Sequence, residues 1–329
     1  MIYMDKNISL MDGFIALIKR FGSNFVNIHR DGIKNWWAIF LFKYGLVKKS
    51  KIKLYNGKTF DIRNSRDYKN FFKEPSLYLA SNYKIELKNN RLVVNLNPDY
   101  PGYYNRKKIL LAYDKIMLSD IIRQVRDIFY YKEYSFMNPN KKTVVDIGAN
   151  IGDTAIFFNL RGANEVYAVE AMPELYNLMI KNLKLNKIEN VVPINAVATS
   201  KKQKFRLPKQ GSWAGDIQEA DENYVNVTTI TLEEIVNRYG INNALLKIDC
   251  EGCEYNLIIN CKIEILRKFS EIVIEYHYGY KNLIKKLNLA GFNVKHTRPT
   301  KEINNDYANP IMYVGFIIAK RVDMYKNGL

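Results

Sequence analysis

The sequence predicts an α/β protein, a mostly parallel sheet with crossover helices preceded by a basic α+β region, and three observations predict it. Residues 143–172, TVVDIGANIGDTAIFFNLRGANEVYAVEAM, are the first. An apolar run (Val144, Val145, Ile147) meets Gly148, Asn150 and Gly152, a short helical pattern closes at Gly162, and a second apolar run, Val166 to Val169, ends in Glu170. That is a strand, a glycine turn, a helix and a strand ending in an acid. The second observation is another apolar run, Ala244 to Ile248, that leads into the acidic turn Asp249-Cys250-Glu251-Gly252-Cys253-Glu254. Third, the segments between and beyond these alternate strand and helix patterns, as parallel strands joined by helices require.

At 329 residues and 47% hydrophobic, the chain can form one large domain or two with ample core. The net charge is +17, and residues 1–143 hold 27 Lys and Arg against 12 Asp and Glu, so nearly all of the excess lies there. Such a field concentrates anionic partners: phospholipid, diphosphate-linked lipid carriers, nucleotide-sugars or nucleic acid. It equally suits a lysine-rich surface kept soluble by self-repulsion. Met1 to Leu10 carry Asp5 and Lys6 and no small-residue cleavage site, so no secretory signal is read. The longest apolar run, Trp36 to Phe42, is far short of the roughly 20 residues that span a bilayer. A soluble, cytoplasmic chain is expected. Cys250, Cys253 and Cys261 cannot build a disulfide framework, and neither His29 nor His296 is near enough in sequence to complete a zinc site, so buried thiols are expected.

Taken in order, residues 10–47 read as one or two helices. Within them, residues 32–49 combine Trp36, Trp37, Phe40 and Phe42 with flanking lysines, the make-up of a helix at a membrane interface or of one packed on its own domain. Two hairpins follow, Ile52 and Leu54 with Phe60 and Ile62 around Asn56-Gly57, then Ile85 and Leu87 with Val94 and Leu96 around Asn89-Asn90. Residues 1–110 form this basic α+β region, and 111–329 the larger domain. From Ser119 the positions Ile121, Ile122, Val125, Ile128 and Phe129 keep helical spacing, and Asn138-Pro139-Asn140 turns the chain into the first strand. Pro173 opens the helix carrying Leu175, Leu178, Met179 and Leu183, and a strand follows at 191–197. Residues 200–230 are irregular and polar, and Trp213 within them is read as a stacking platform for an acceptor or as a hydrophobic plug. A helix (Leu232 to Tyr239), the strand Ala244 to Ile248, a strand from Glu271 to Tyr276 ending in His277, a helix stopping at Gly291, and strands Phe292 to His296 and Tyr313 to Lys320 complete the chain.

The central unit is a nucleoside pocket. Gly148 and Gly152 let the backbone turn sharply and a ligand approach the main chain. Glu170, at a strand's carboxyl end, is placed to accept both hydroxyl hydrogens of a ribose. A dinucleotide fingerprint wants G-x-G-x-x-G, whereas here the run is Gly148-x-Asn150-x-Gly152 with Asp146 before it. An acid beside the turn disfavours a pyrophosphate and favours a cationic ligand such as S-adenosylmethionine.

DIGANIGDT, Glu170 and KIDCEGCE at 247–254 together resemble the FkbM-type S-adenosylmethionine-dependent methyltransferases, mostly O-methyltransferases, over about residues 110–320. The resemblance implies a class I methyltransferase, Rossmann-like sheet of seven strands, mostly parallel, with a terminal antiparallel hairpin. It places Asn195 and Ala196 beside the adenine, and Asp249 beside the transferred methyl with His277 ending the neighbouring strand. Asp249 and His277 are the two candidates for the base. Glu251 and Glu254 would orient acceptor hydroxyls or hold Lys247; whether the cluster also takes a divalent ion stays open, and no metal ligands are assigned. The implied acceptor is a hydroxyl of a sugar, glycan or glycolipid. The alternatives are an RNA methyltransferase gripping phosphates with the basic region, disfavoured because no RNA-binding motif is present, and a non-catalytic nucleoside-binding module.

Overall fold

Strands covered on both faces must be mostly apolar, and the runs at 143–147 and 244–248 lie at the centre of the main sheet. The computed structural model describes residues 33–322 apart from 36, 44, 55–56, 73–84, 97–105, 115–116, 131–132, 203–204, 209–223 and 304–310. The expected N-terminal helix before residue 33, Asn56 of the first turn, and residues 209–223 with Trp213 lie outside the described residues. The chain forms two compact units, residues 1–95 with 113–130 and residues 96–112 with 131–329.

In the first unit, helix α1 (Trp37–Lys43) precedes the antiparallel hairpin of β1 (Ser50–Lys53) and β2 (Thr59–Ile62), where Ile52 faces Phe60. Helix α2 (Ser65–Phe72) follows, then the hairpin of β3 (Ile85–Lys88) and β4 (Arg91–Asn95). Asn89 and Asn90 turn this hairpin with φ of 51° and 55°, the paired left-handed residues of a type I′ turn, as the sequence predicts. Helix α3 (Leu118–Phe129) buries Ile121, Ile122, Val125, Ile128 and Phe129, the predicted stripe. It belongs to this unit, not to the larger domain that a single boundary at residue 110 would give it.

The second unit takes β5 (Lys108–Leu111) instead. The reason is side-chain hydrogen bonding: Asn186 accepts from the Leu110 N–H (3.0 Å) and donates to the Leu110 carbonyl (2.7 Å), and Asn182 accepts from the Ala112 N–H (2.6 Å). These two asparagines lie on, and just beyond, helix α5 (Pro173–Leu185) and serve β5 as a neighbouring strand would.

Along the main sheet of this unit the order is β15 (Phe292–His296), β17 (Ile311–Arg321), β14 (Phe269–Tyr276), β13 (Ala244–Ile248), β6 (Thr143–Ile147), β7 (Glu165–Glu170), β8 (Val191–Asn195). Strands β14, β13, β6, β7 and β8 run parallel, while β17 is antiparallel to β14 and β15. An eighth strand, β16 (Thr300–Ile303), also pairs with β17. The segment 200–230, expected to be irregular, holds β10 (Phe205–Pro208) antiparallel to β11 (Tyr224–Val227), and β12 (Thr229–Ile230), which pairs in parallel with β9 (Val197–Ala198). Every residue of β13 and all but the first of β6 are buried. Helix α4 (Asp153–Leu160) is buried all round except at Asn159, so it carries no polar face. Pro173 opens α5 at its first turn, and α6 (Leu232–Arg238) starts on a capping box, Thr231 Oγ1 accepting from the Glu234 N–H (3.0 Å) and Glu234 from the Thr231 N–H (3.1 Å). Helices α7 (Cys253–Ile259), α8 (Ile263–Leu266) and α9 (Lys281–Leu289) complete the layer beside β13 and β14. The topological switch falls between β6 and β13, where successive connections leave in opposite directions and open a crevice beyond the carboxyl ends. Among the described residues no helix is long and apolar enough to cross a membrane.

Candidate functional site

Four strand ends, those of β6, β7, β13 and β14, bring Gly148, Glu170, Asp249 and His277 to the carboxyl edge of one sheet. The glycine turn after β6 is hung on β7: the N–H groups of Gly148 and Ala149 both donate to the Val169 carbonyl (2.9 and 3.0 Å). Asn150, with φ of 49°, donates its N–H to Glu170 Oε2 (2.8 Å), and Met172 N–H donates to Glu170 Oε1 (2.8 Å). Burial drives the Glu170 carboxyl up to about 7 despite those two bonds, and likewise drives Asp153, at the start of α4, up to about 7. Asn195 donates to the carbonyls of Glu170 (2.8 Å) and Ala171 (3.1 Å), and Ala196 N–H donates to the Glu170 carbonyl (3.2 Å). Both therefore adjoin the acid, with the Asn195 amide spent on holding the backbone that carries it.

The glycines make the expected turn, and each is also hemmed in by the protein. Gly148 has φ of +76°, and a Cβ there would overlap the carbonyl of Asp249, so the residue must be small because the end of β13 runs against it. A Cβ on Gly152 would press on the Met179 side chain of α5.

Asp146 is also corrected. Its carboxylate is fully buried, accepts from Thr154 Oγ1 (2.6 Å) and pairs with Lys247 Nζ (3.1 Å), so its charge is matched inside the protein before any ligand arrives. Lys247 is the residue the sequence reading undervalued. Buried in β13, it donates to the Gly148 carbonyl (2.8 Å), pairs with Asp146, and reaches to 4.0 Å from Asp249, joining the glycine turn to the acidic turn. Burial alone would lower its pKa; Asp146 and Asp249 outweigh that and raise it. Glu251 and Glu254 are not what holds it. The signal was available, since a lysine inside Ala-Leu-Leu-Lys-Ile must be paired if both faces of the strand are covered.

The acidic turn is closed covalently: Cys250 and Cys253 form a disulfide, where buried thiols were expected, and Cys261 is the buried free cysteine. Spacing in sequence could not show this, because the turn itself brings the two Cα atoms to 5.5 Å. Inside that ring Glu251 has φ of 56° and Gly252 has φ of 118°. Glu254, at the start of α7, is fully buried and is more than a partner for the helix dipole. It accepts from the Gly252 N–H (2.8 Å) and the His277 N–H (3.0 Å), and faces His277 Nδ1 at 3.1 Å. The other ring nitrogen, Nε2, lies 3.2 Å from Glu251 and 3.9 Å from Asp249. Burial would lower the imidazole's pKa, but Glu254, with Glu251 and Asp249, raises it to about 10. At neutral pH His277 is thus an imidazolium, able to act as a base only after losing that proton. The Asp249 carboxylate stands beside it with 28% of its side chain exposed. Asp249, Glu251 and His277, the three residues read as catalytic, meet at one point.

Residues 146–294 match the methyltransferase FkbM domain. The chain is 34% identical over 83 residues to the tRNA(Phe) (4-demethylwyosine(37)-C(7)) aminocarboxypropyltransferase of Methanocaldococcus jannaschii, a stretch that covers 25% of this chain and 33% of that one. It is 23% identical over 174 residues to uncharacterized protein 65 of a Sulfolobus islandicus filamentous virus, covering 52% and 83% of the two chains. Among solved structures, M. jannaschii TYW2 in complex with AdoMet is 19% identical with a TM-score of 0.36, over 72% of this chain and 89% of its own. Aeropyrum pernix fibrillarin with natively bound S-adenosyl-L-methionine is 13% identical with a TM-score of 0.35, over 83% and 94%. Superpositions this loose carry no weight for activity.

Proposed function

We propose that this chain, whose residues 146–294 match the methyltransferase FkbM domain, is a methyltransferase that moves the methyl group of S-adenosylmethionine onto a hydroxyl of a sugar, glycan or glycolipid. The observation that carries the reading is the meeting of Asp249, Glu251 and His277 at the ends of β13 and β14, on the same sheet edge as the glycine turn one strand from β13 and Glu170 two strands from it. Glu170 would hold the donor's ribose hydroxyls in the crevice beyond β6 and β7, Asn195 and Ala196 would flank its adenine, and the carboxylates of the acidic turn would face its sulfonium. The acceptor oxygen attacks the methyl carbon in line with sulfur, the S–CH3 bond breaks, and the sulfonium becomes a neutral thioether. Alignment of this kind supplies on the order of 7 to 11 kcal/mol in favourable cases. The hydroxyl proton passes to Asp249, and Glu251 orients the acceptor. Lys247 keeps Asp249 at the end of β13, and in the ligand-free chain the positive charge of His277 offsets that of the turn. The basic first region favours an acceptor that is anionic or held on a lipid diphosphate at a membrane surface.

The test supplies donor labelled on its methyl group to the purified protein with glycolipid, polysaccharide and tRNA fractions in parallel. Label in a carbohydrate-bearing fraction is expected. Label in tRNA alone, or transfer only from donor labelled in its carboxypropyl chain, would replace this acceptor or this reaction with another. Failure to bind S-adenosylhomocysteine would overturn the reading entirely.

A further inference from the structure

We infer that Asp249, Glu251 and His277 form a binding site for one divalent metal cation of intermediate hardness at the carboxyl edge of β13 and β14. Each residue offers one ligand atom, and these atoms all lie within 4.8 Å of one another. Ligands about 2.0 to 2.2 Å from a first-row cation stand roughly 3 Å apart when they meet it at right angles. Nε2 stands 3.2 Å from Glu251 and 3.9 Å from Asp249, and the widest gap of the set, within 4.8 Å, has to close by less than about 2 Å to reach that.

The imidazole makes this more than a group of acids. His277 is 4% exposed, its main-chain N–H and Nδ1 are both fixed on the fully buried Glu254, and its Nε2 is aimed into the gap between the two carboxylates. A carboxylate behind the far nitrogen is what fixes the tautomer and orientation of a metal-bound histidine. The main chains of the other two ligands are held as well. Asp249 directly follows β13, with its N–H bonded to the Ile147 carbonyl (3.0 Å), and Glu251 sits inside the Cys250–Cys253 ring. Precise ligand sets are built on such rigid supports.

The site is also open on one side. The Asp249 and Glu251 side chains are 28% and 42% exposed, so a cation can reach the triad and retain positions for water or a substrate oxygen. Two oxygens and one nitrogen suit Mn2+, Fe2+ or Zn2+ better than Ca2+. A cation bound there displaces the proton from Nε2. Its purpose, to hold an oxygen of the acceptor, rests on the transferase reading above; the binding site itself rests on the geometry.

Mn2+ serves as the probe. Titration of the full chain, followed by the electron paramagnetic resonance signal of free Mn2+, is expected to give one saturable site per chain. Glu251→Gln and His277→Asn should each weaken it at least tenfold, and Glu174→Gln, on the exposed face of α5, should leave it unchanged. Calorimetry with S-adenosylhomocysteine on the same samples shows that the variants are folded and separates the two ideas. Protein that binds S-adenosylhomocysteine but has no saturable Mn2+ site, or a site that survives both triad substitutions, overturns the cation site and leaves the transferase reading standing.

Discussion

Gly148 and Lys247 have neighbours that a linear reading does not suggest, Asp249 has the expected ones, and each of the three carries its own prediction. Alanine at Gly148 would drive a methyl group into the Asp249 carbonyl on the adjoining strand end, where neither backbone can give way. Overpacking of this kind costs about 1 to 3 kcal/mol and sometimes more, so Gly148→Ala should lower the urea midpoint or abolish soluble expression. Lys247→Met leaves Asp146 buried without its cation, a change that costs about 3 to 5 kcal/mol in comparable buried pairs, and the loss should appear in the same denaturation curve. Asp249→Asn changes little in volume. Methyl transfer should fall by about 10² to 10⁴-fold, the usual contribution of a positioned base, while S-adenosylhomocysteine binds by calorimetry as before. Loss of binding with turnover intact would reverse the roles assigned here.

Between elements, the turn joining β13 to α7 is bonded to the end of β14 through a single carboxylate. Glu254 accepts from Gly252 in its own turn and from His277 on the neighbouring strand, so the two strand ends move together. Glu254→Gln keeps the shape but turns an amide N–H toward groups that are themselves donors. The expected cost is about 1 to 3 kcal/mol, the penalty of a buried unsatisfied donor, with a fall in the His277 pKa visible by NMR titration. A melting temperature and a His277 titration unchanged from wild type would show that this bond does not set the turn. The elements themselves were largely legible in advance. Ala244 to Ile248 and Phe292 to His296 are strands with the predicted limits, because apolar runs bounded by turn residues leave little choice. The 300–303 strand was not, since Thr300 to Ile303 lack strong alternation and pair only because β17 extends far enough to receive them.

For the whole molecule, the buried ionisable groups of the site set a common pH trend. His277 has a folded pKa of about 10 against roughly 6.5 unfolded. Its contribution to stability is complete below pH 6.5 and is lost as pH rises through 10. Glu170 and Asp153, raised to about 7, also favour their protonated forms in the folded chain, so their contribution is present at low pH and is lost as pH passes 7. All three act in one direction. Thermal unfolding should therefore move to lower temperature between pH 6.5 and 10, and His277→Asn should flatten the upper part of that slope. A midpoint that rises over this interval would mean that the site's carboxylates are not packed around a protonated imidazole.

The glycine turn, the acid that ends the next strand and the second acidic turn were fixed by local sequence alone, because strand period, turn chemistry and residue type are properties of short stretches. So were the hairpin at Asn89-Asn90 and the buried stripe of α3. Only the tertiary structure decided that Asp146 spends its charge on Lys247, that Gly148 yields space to a strand about a hundred residues away in sequence, that Cys250 meets Cys253, and that His277 arrives between Glu254 and Glu251. Those facts depend on which strands lie side by side, and adjacency in a parallel sheet is set by crossover connections that no short window of residues contains.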